Sequence, residues 1–415
     1  MRAFAALLRA EAFADAVELF APPLRAGLPA EVLRLAWATE TDGRGGVTAI
    51  GEPVVQPVVQ PGDEPVRVHL PVSCADGGFT LVTSVGADGL LYGLRLDPGE
   101  GTTWQPPGYA DPDRFTETDV LLGSGPLAVP GTLTLPVGPG PWPAVVLLSG
   151  GGAFDRDESG GPNKPLKDLA WGLATRRTAV LRFDKPTFAH PDRLPADFTM
   201  ADEYLPPALA ALDLLRARPE IDPGRVHLLG HSMGGKVAPR IAAAARPPVA
   251  GLVLLAADAQ PMHLAAVRVA RHLAALMPGP QTEQLVETLV RQAATVDGPG
   301  LTPDTPAESL PFGLSAAYWL DLRGYDQVGT AAGLRPLPML LLQGGRDYQV
   351  TVEDDLARWR QALGDRPEVS IRIHPEANHL FLPGTGPATP AEYARPGHVA
   401  AAVVEDIADW LAGRR

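Results

Sequence analysis

The sequence predicts an α/β fold: a mostly parallel sheet with helices on both faces, carrying a helical insertion and preceded by a small α+β unit. Three observations predict it. First, six short apolar runs, Ala144–Leu148, Ala179–Phe183, Val226–Leu229, Leu252–Ala256, Met339–Leu342 and Val369–Ile373, alternate with helix-prone segments. Their apolar character is continuous rather than alternating, which is the pattern of strands buried on both faces and hence of a parallel sheet. Second, the run ending at Leu229 enters Gly230-His231-Ser232-Met233-Gly234 and leaves it through a helix-prone segment, Lys236 to Arg246. Strand, Gly-x-Ser-x-Gly and helix in that order describe a sharp turn that exposes the serine above the sheet edge. Third, residues 259–335 separate the strand ending near Ala257 from the one starting near Pro338. That is far longer than a simple crossover, as expected of a cap inserted over the strand ends.

Taken in order, residues 1–98 form a small α+β unit. Phe4 to Phe20 reads as one amphipathic helix, with Leu7, Leu8, Phe13, Val17 and Phe20 able to share a face and Pro22-Pro23 ending it. Strand-like runs follow at Val47–Ile50, Val54–Val59, Val66–Val72, Phe79–Val85 and Leu90–Leu96, divided by turns such as Ala87-Asp88-Gly89. No nucleophile–base spacing and no metal-ligand cluster occurs there, so the expected role is packing, support of a lid, or formation of a homo-oligomer. Residues 99–115, rich in Pro, Gly and Asp, read as a linker. Residues 116–415 form the large domain, opening with a hairpin over Val120–Leu122 and Gly131–Leu135. Within the insertion, Leu264 to Leu276 and Thr282 to Ala294 read as amphipathic helices. Leu264, Leu276, Tyr318 and Trp319 can either wall a substrate pocket or form the insertion's own small core.

Composition narrows the function classes. At 415 residues the chain exceeds the usual size of a single core. A net charge of −13, with no offsetting Lys/Arg cluster, argues against nucleic-acid or anionic-membrane partners. The lone Cys74 cannot form an internal disulfide and reads as a buried thiol. The apolar stretch near Met1 is too short for a signal segment, and no uninterrupted apolar run approaches the roughly 18 residues of a membrane span. The expected location is cytoplasmic.

A serine hydroxyl is a poor nucleophile at neutral pH and needs a base, which itself needs an orienting group. His379, in a loop just beyond the last apolar run, is the candidate base; His374, at the end of that strand, points less freely. His231, beside the serine, is expected to face elsewhere or to line the pocket. Asp347, after Leu342-Gln343-Gly344-Gly345-Arg346, is the candidate acid, with Asp258 after the preceding strand as its rival. An oxyanion formed on attack needs backbone donors. Ser149-Gly150-Gly151-Gly152 follows the first strong strand, and the amides of Gly151 and Met233 are the candidates.

Ser232, Asp347 and His379 run in the order serine, acid, histidine. Together with Asp155-Arg156-Asp157, Asn163-Lys164-Pro165, Arg182-Phe183-Asp184-Lys185, Asp347-Tyr348-Gln349-Val350 and Asn378-His379-Leu380-Phe381, these residues give the chain its resemblance. From about residue 116 onward it resembles bacterial α/β-hydrolase carboxylesterases related to the serine aminopeptidase branch, of the EstD type with an N-terminal extension. Such a resemblance implies the α/β-hydrolase fold and hydrolysis of short acyl esters, with no cofactor and no metal. One departure is Ser149, where relatives usually carry histidine before the oxyanion glycine.

Two rival readings fit the same residues. The same residues can cleave amides if His379 also protonates the departing nitrogen. A peptidase that reads a free amino terminus would aim insertion carboxylates such as Glu283, Glu287, Asp304 or Glu308 into the pocket. A non-catalytic binding protein on the same fold would be expected to show a broken set of site residues, and none is broken.

Overall fold

The computed structural model describes residues 1–42, 44–55, 66–98, 104–191 and 193–413. Residues 56–59 of the expected strand Val54–Val59 and residues 99–103 of the expected linker lie outside the described residues.

In the N-terminal unit four helices, α1 (Arg2–Arg9), α2 (Phe13–Val17), α3 (Pro22–Gly27) and α4 (Ala30–Asp42), pack on an antiparallel sheet. Its strands are β1 (Val47–Ile50), β2 (Val54–Val55), β3 (Val66–Cys74), β4 (Gly77–Val85) and β5 (Leu91–Pro98), in the order β1-β3-β4-β5 with β2 also paired to β3. Along β3 the buried residues alternate, Val68, Leu70, Val72 and Cys74, which is the period of a half-buried strand. The single helix expected over Phe4–Phe20 is instead two. Glu11 takes a left-handed conformation, φ 52°, and folds the chain back so that Phe4 and Phe20 pack ring to ring at 5.7 Å. Both halves still feed one core, which is why their apolar pattern reads as continuous. Pro22 opens α3, where its fixed φ suits a first turn.

Residues 104–114 lie against the large domain. Trp104 Nε1 donates to Asp168 at 2.7 Å and Tyr109 Oη to the Val399 carbonyl at 2.8 Å. Next come β6 (Phe115–Leu122), β7 (Val129–Pro136), β8 (Trp142–Leu148), α5 (Pro165–Thr175), β9 (Ala179–Phe183), α6 (Pro186–Ala189) and α7 (Met200–Arg216). They are followed by β10 (Ile221–His231), α8 (Met233–Ala244) and β11 (Leu252–Leu255). The sheet order is β13-β12-β11-β10-β8-β9-β7-β6, completed by β12 (Met339–Gly344) and β13 (Val369–His374). Strands β8 to β13 are parallel and β7 runs against both its neighbours.

Both faces of the parallel strands are covered. Val146, Leu148, Leu228, Leu254 and Leu341 pack under α7 and α8, while Val145, Leu147, Leu229, Val253 and Leu342 pack under α5 and α14 (Ala401–Leu411). Successive residues of these central stretches therefore alternate between two cores, and the residues named on both sides are apolar.

The insertion between β11 and β12 holds α9 (Met262–Leu276), α10 (Pro280–Asp297), α11 (Ala316–Gly324) and α12 (Gln327–Gly333). Arg268 of α9 ties it to the segment after β12, bonding Asp354 at 2.8 Å, Asp355 at 3.1 Å and the Gln349 carbonyl at 2.6 Å. The helix expected over Val352–Leu363 begins with a wide π turn, Val352–Leu356, before α13 (Ala357–Leu363). Asp355 in that turn accepts the amides of Ala259 and Gln260, fixing the start of the insertion. The N-terminal unit sits against the insertion, with α3 on residues 307–313 and α4 on α10. Among the described residues no helix is long and apolar enough to cross a membrane.

Candidate active site

Ser232 joins β10 to α8 at φ 53° and ψ −119°, a conformation that costs a non-glycine residue on the order of 1–3 kcal/mol. The surroundings hold it there. A Cβ on Gly230 would lie 2.2 Å from the Gly234 carbonyl oxygen, and one on Gly234 would lie 2.3 Å from that of Leu148. Only glycine lets β10, α8 and the exit of β8 meet at this separation. Helix α8 starts immediately after the serine, which leaves the Met233 amide at a helix N-terminus with no intrahelical partner. The loop leaving β8 lies alongside, with the Cβ direction of Gly150 ending 3.3 Å from Ser232 Cβ and that of Gly151 ending 3.5 Å from Met233 Cε.

Asp347 and His379 leave the carboxyl ends of β12 and β13, and the structure brings them together: His379 Nδ1 lies 2.8 Å from Asp347 Oδ2. Asp347 is buried, and its carboxylate also accepts the amides of Gln349 (2.8 Å) and Val350 (3.0 Å) and Gln343 Nε2 (3.2 Å). An ionised carboxylate can only accept, so this bond assigns the proton to Nδ1 and leaves the Nε2 lone pair free in the neutral ring. The two loops meet because Gly344 has no side chain; a Cβ there would stand 2.6 Å from the carbonyl oxygens of both Ala377 and Asn378. Buried Asn378 shapes the loop from within, its Oδ1 accepting the amides of Leu380 and Leu382 at 3.1 Å each. The His379 ring stands 4.7 Å, centroid to centroid, from that of His231, the residue before the serine. Ser232 Oγ makes no hydrogen bond to His379; such contacts are often long without substrate and tighten in the complex.

The rival residues are placed elsewhere. Asp258 is half-buried, 3.8 Å from Lys236 Nζ, and does not bond His379. His374 turns to Asp406, at 3.2 Å.

His231 has a position that the sequence did not reveal. Its Nδ1 lies 2.9 Å from Glu158 Oε1 and its Nε2 lies 2.9 Å from the His379 carbonyl oxygen. Both partners accept only, so the ring must carry both protons to satisfy them. Burial opposes that charge, but the Glu158 carboxylate and the carbonyl outweigh it and raise the His231 pKa to about 9. Glu158 reaches inward from a left-handed backbone, φ 54°, and its Oε1 also accepts the Gly150 amide at 2.7 Å. One buried ion pair thus joins the serine strand, the loop after β8 and the His379 loop.

A pH prediction follows from this pair. A folded pKa raised above the ordinary histidine value contributes stability that is complete below about pH 6.5 and is lost as pH rises through about 9. Melting temperature should therefore fall between pH 7 and 10, the loss corresponding to on the order of 3 kcal/mol. Glu158→Gln should start lower and show a flatter slope over that range. Parallel slopes in the two proteins would remove His231 as the cause.

Charged residues behind the β8 loop explain several sequence motifs. Arg182, within buried β9, bonds Asp157 at 2.8 Å and Glu117 at 2.8 Å, and Lys164 also holds Asp157 at 3.0 Å. Arg156 pairs with Asp184 at 2.9 Å. Asn163 spans to the Tyr393 carbonyl at 2.8 Å and accepts the Gly397 amide at 2.8 Å. An arginine inside an otherwise apolar strand was the available signal that such a network exists. Ser149, the departure noted above, buries its hydroxyl without a hydrogen bond among the described residues, while its carbonyl accepts from Tyr204 Oη at 2.9 Å.

Of the four insertion residues considered for the pocket wall, Leu264 and Leu276 are exposed on the surface. Trp319 belongs to the insertion's own core with Val296, Leu301 and Leu310. Tyr318 is buried beneath the insertion with its hydroxyl 2.6 Å from Glu203. Among the described residues no three His, Cys, Asp or Glu side chains cluster as a metal ion would need.

Residues 145–411 match the alpha/beta hydrolase family. The chain is 35% identical over 335 residues to Esterase EstD of Thermotoga maritima, covering 81% of this chain and 77% of that protein. Among solved structures it is similar to Est1E from Butyrivibrio proteoclasticus, 16% identical over 71% of this chain and 98% of that one, with a TM-score of 0.46. It is also similar to a thermophilic esterase from Thermogutta terrifontis, 22% identical over 72% of this chain and 99% of that one, with a TM-score of 0.43. The family match and the extent of the EstD alignment, on a sheet with this elbow, identify the chain as a member of the α/β-hydrolase family that resembles its EstD-type esterases.

Proposed function

We propose that the chain is a serine carboxylesterase that hydrolyses short-chain acyl esters through an acyl-enzyme intermediate. The observation that carries this reading is the buried 2.8 Å bond between Asp347 and His379, delivered by adjacent strand ends to a strained serine. Ser232 Oγ attacks the ester carbonyl as His379 Nε2 takes its proton, and Asp347 holds the ring in the tautomer that makes Nε2 the acceptor. The carbonyl oxygen becomes an oxyanion facing the amides of Gly151 and Met233. Collapse expels the alcohol, which takes the proton from His379, and leaves the acyl group on Ser232. Water then repeats the sequence, giving its proton to His379, and releases the acid. Similarity to Esterase EstD supports esters as the substrate class, and the preference for short acyl chains is part of the proposal.

Amide hydrolysis is the second reading, and the exposure of the insertion carboxylates counts against its aminopeptidase form. Glu283, Glu287, Asp304 and Glu308 all face solvent. A panel of p-nitrophenyl esters from acetate to decanoate, run beside aminoacyl p-nitroanilides, tests the choice. Turnover that is highest on the shortest esters and far above that on anilides is expected. Anilide turnover equal to the ester rate would make the protein a peptidase, and a folded protein inert to both would fit the binding reading.

A further inference from the structure

We propose that Lys185 is a positioning residue for the oxyanion loop and that Tyr318, in the insertion, sets Lys185 through Glu203. The proposal rests on the reading of the Gly151 and Met233 amides as oxyanion donors. Three carbonyls of the loop after β8 are held from behind by two buried side chains. Lys185 Nζ donates to Gly150 O at 2.9 Å and to Gly152 O at 2.7 Å. Tyr204 Oη lies 2.9 Å from Ser149 O and 2.8 Å from Gly150 O. In a trans peptide the C=O of one residue and the N–H of the next point in opposite directions. Anchoring the Gly150 carbonyl on Lys185 therefore turns the Gly151 N–H away from it. A hydrogen bond to that carbonyl also polarises the peptide group, which makes the same N–H a stronger donor.

Lys185 is fully buried and is itself fixed by others. Its ammonium lies 3.1 Å from Glu203 Oε1 and 2.9 Å from Tyr204 Oη. Glu203 Oε1 also accepts from Thr187 at 2.6 Å, and Glu203 Oε2 accepts the Tyr318 hydroxyl at 2.6 Å. That hydroxyl stands 3.5 Å from Met233 Sδ. Tyr318 belongs to α11, between β11 and β12, so the insertion reaches both proposed donors. It contacts the Met233 side chain directly and reaches the Gly151 peptide through Glu203 and Lys185. A purely structural filler would not require ions at this place, since a buried pair replaced by well-packed apolar groups is often no less stable. Beside a developing negative charge, a fixed ammonium and the peptide groups that it aligns favour the transition state over the ground state.

Two variants test the relay. Lys185→Met combined with Glu203→Gln removes both charges together and leaves neither ion unpaired in the interior. Tyr318→Phe removes one hydroxyl and keeps the ring. Each is compared with the wild type for acylation rate and KM on p-nitrophenyl acetate, for melting temperature, and for inhibition by a trifluoromethyl ketone, whose serine adduct places an oxyanion at the donors. The double variant should lose about 10²- to 10³-fold in acylation rate, with KM within about twofold and the inhibition constant raised in proportion. Tyr318→Phe should show the same pattern at smaller size. An unchanged inhibition constant in either folded variant, or losses that follow melting temperature across both, overturns the relay. Should the double variant not fold, Tyr318→Phe decides alone by the same constant. Ester turnover that survives Ser232→Ala overturns the oxyanion reading itself, independently of how these variants behave.

Discussion

Ser232→Ala is expected to lower ester turnover by on the order of 10³-fold or more, with little change in stability. Among the described residues the hydroxyl makes no hydrogen bond that holds the fold, and alanine inherits the same φ of 53°, so the strained turn persists in both proteins. Backbone contacts through Gly230 and Gly234 impose that strain, and the substitution touches neither. Turnover of p-nitrophenyl acetate and thermal melting, measured on the same preparation, check both halves of the prediction. Retained turnover in a folded, pure sample would place the nucleophile elsewhere.

Asp347→Asn is expected to cost on the order of 10³- to 10⁴-fold in kcat. An amide facing His379 Nδ1 can offer its NH₂ as donor, which moves the ring proton to Nε2 and leaves nothing there to accept the serine proton. The remaining oxygen can still take the amides of Gln349 and Val350, so the loop should fold. Asp258→Asn is the matched control. Its carboxylate lies 3.8 Å from Lys236 and does not bond His379, so activity should stay within a few-fold of the wild type. If the two variants melt alike and Asp258→Asn is the slower enzyme, the acid lies after β11 and not after β12.

The parallel sheet was legible because the centres of β8 to β12 are buried on both faces, and that condition leaves apolar runs in the sequence. The elbow was legible for a steric reason: a Cβ at 230 or 234 would stand 2.2 or 2.3 Å from a backbone carbonyl oxygen, which leaves glycine as the residue that fits at both. Asp347 and His379 could be read from their places just past strand ends. Glu158, Lys185 and Glu203 could not be read in this way. As letters they are ordinary charged residues, and their importance arises only when α7, β9 and the loop after β8 close over them. Arg182 in a buried strand was a local hint only of the neighbouring network with Asp157 and Glu117. His231 was expected to face elsewhere or line the pocket, because a ring with two acceptors on opposite sides is a tertiary arrangement with no sequence period. The split of Phe4–Phe20 escaped for a similar reason, since a turn at Glu11, a non-glycine residue, sends both halves back to one core. Leu264 and Leu276 carry helical apolar spacing yet face solvent, so spacing alone overstated their part in a pocket.

A nucleophilic serine between β10 and α8 that forms a covalent acyl-enzyme should be trapped by a fluorophosphonate and located by mass spectrometry. One adduct per chain is expected, mapped to the peptide that holds Ser232, absent from Ser232→Ala and formed in step with the loss of ester turnover. An adduct on another residue, or full inhibition with Ser232 unmodified, would contradict it.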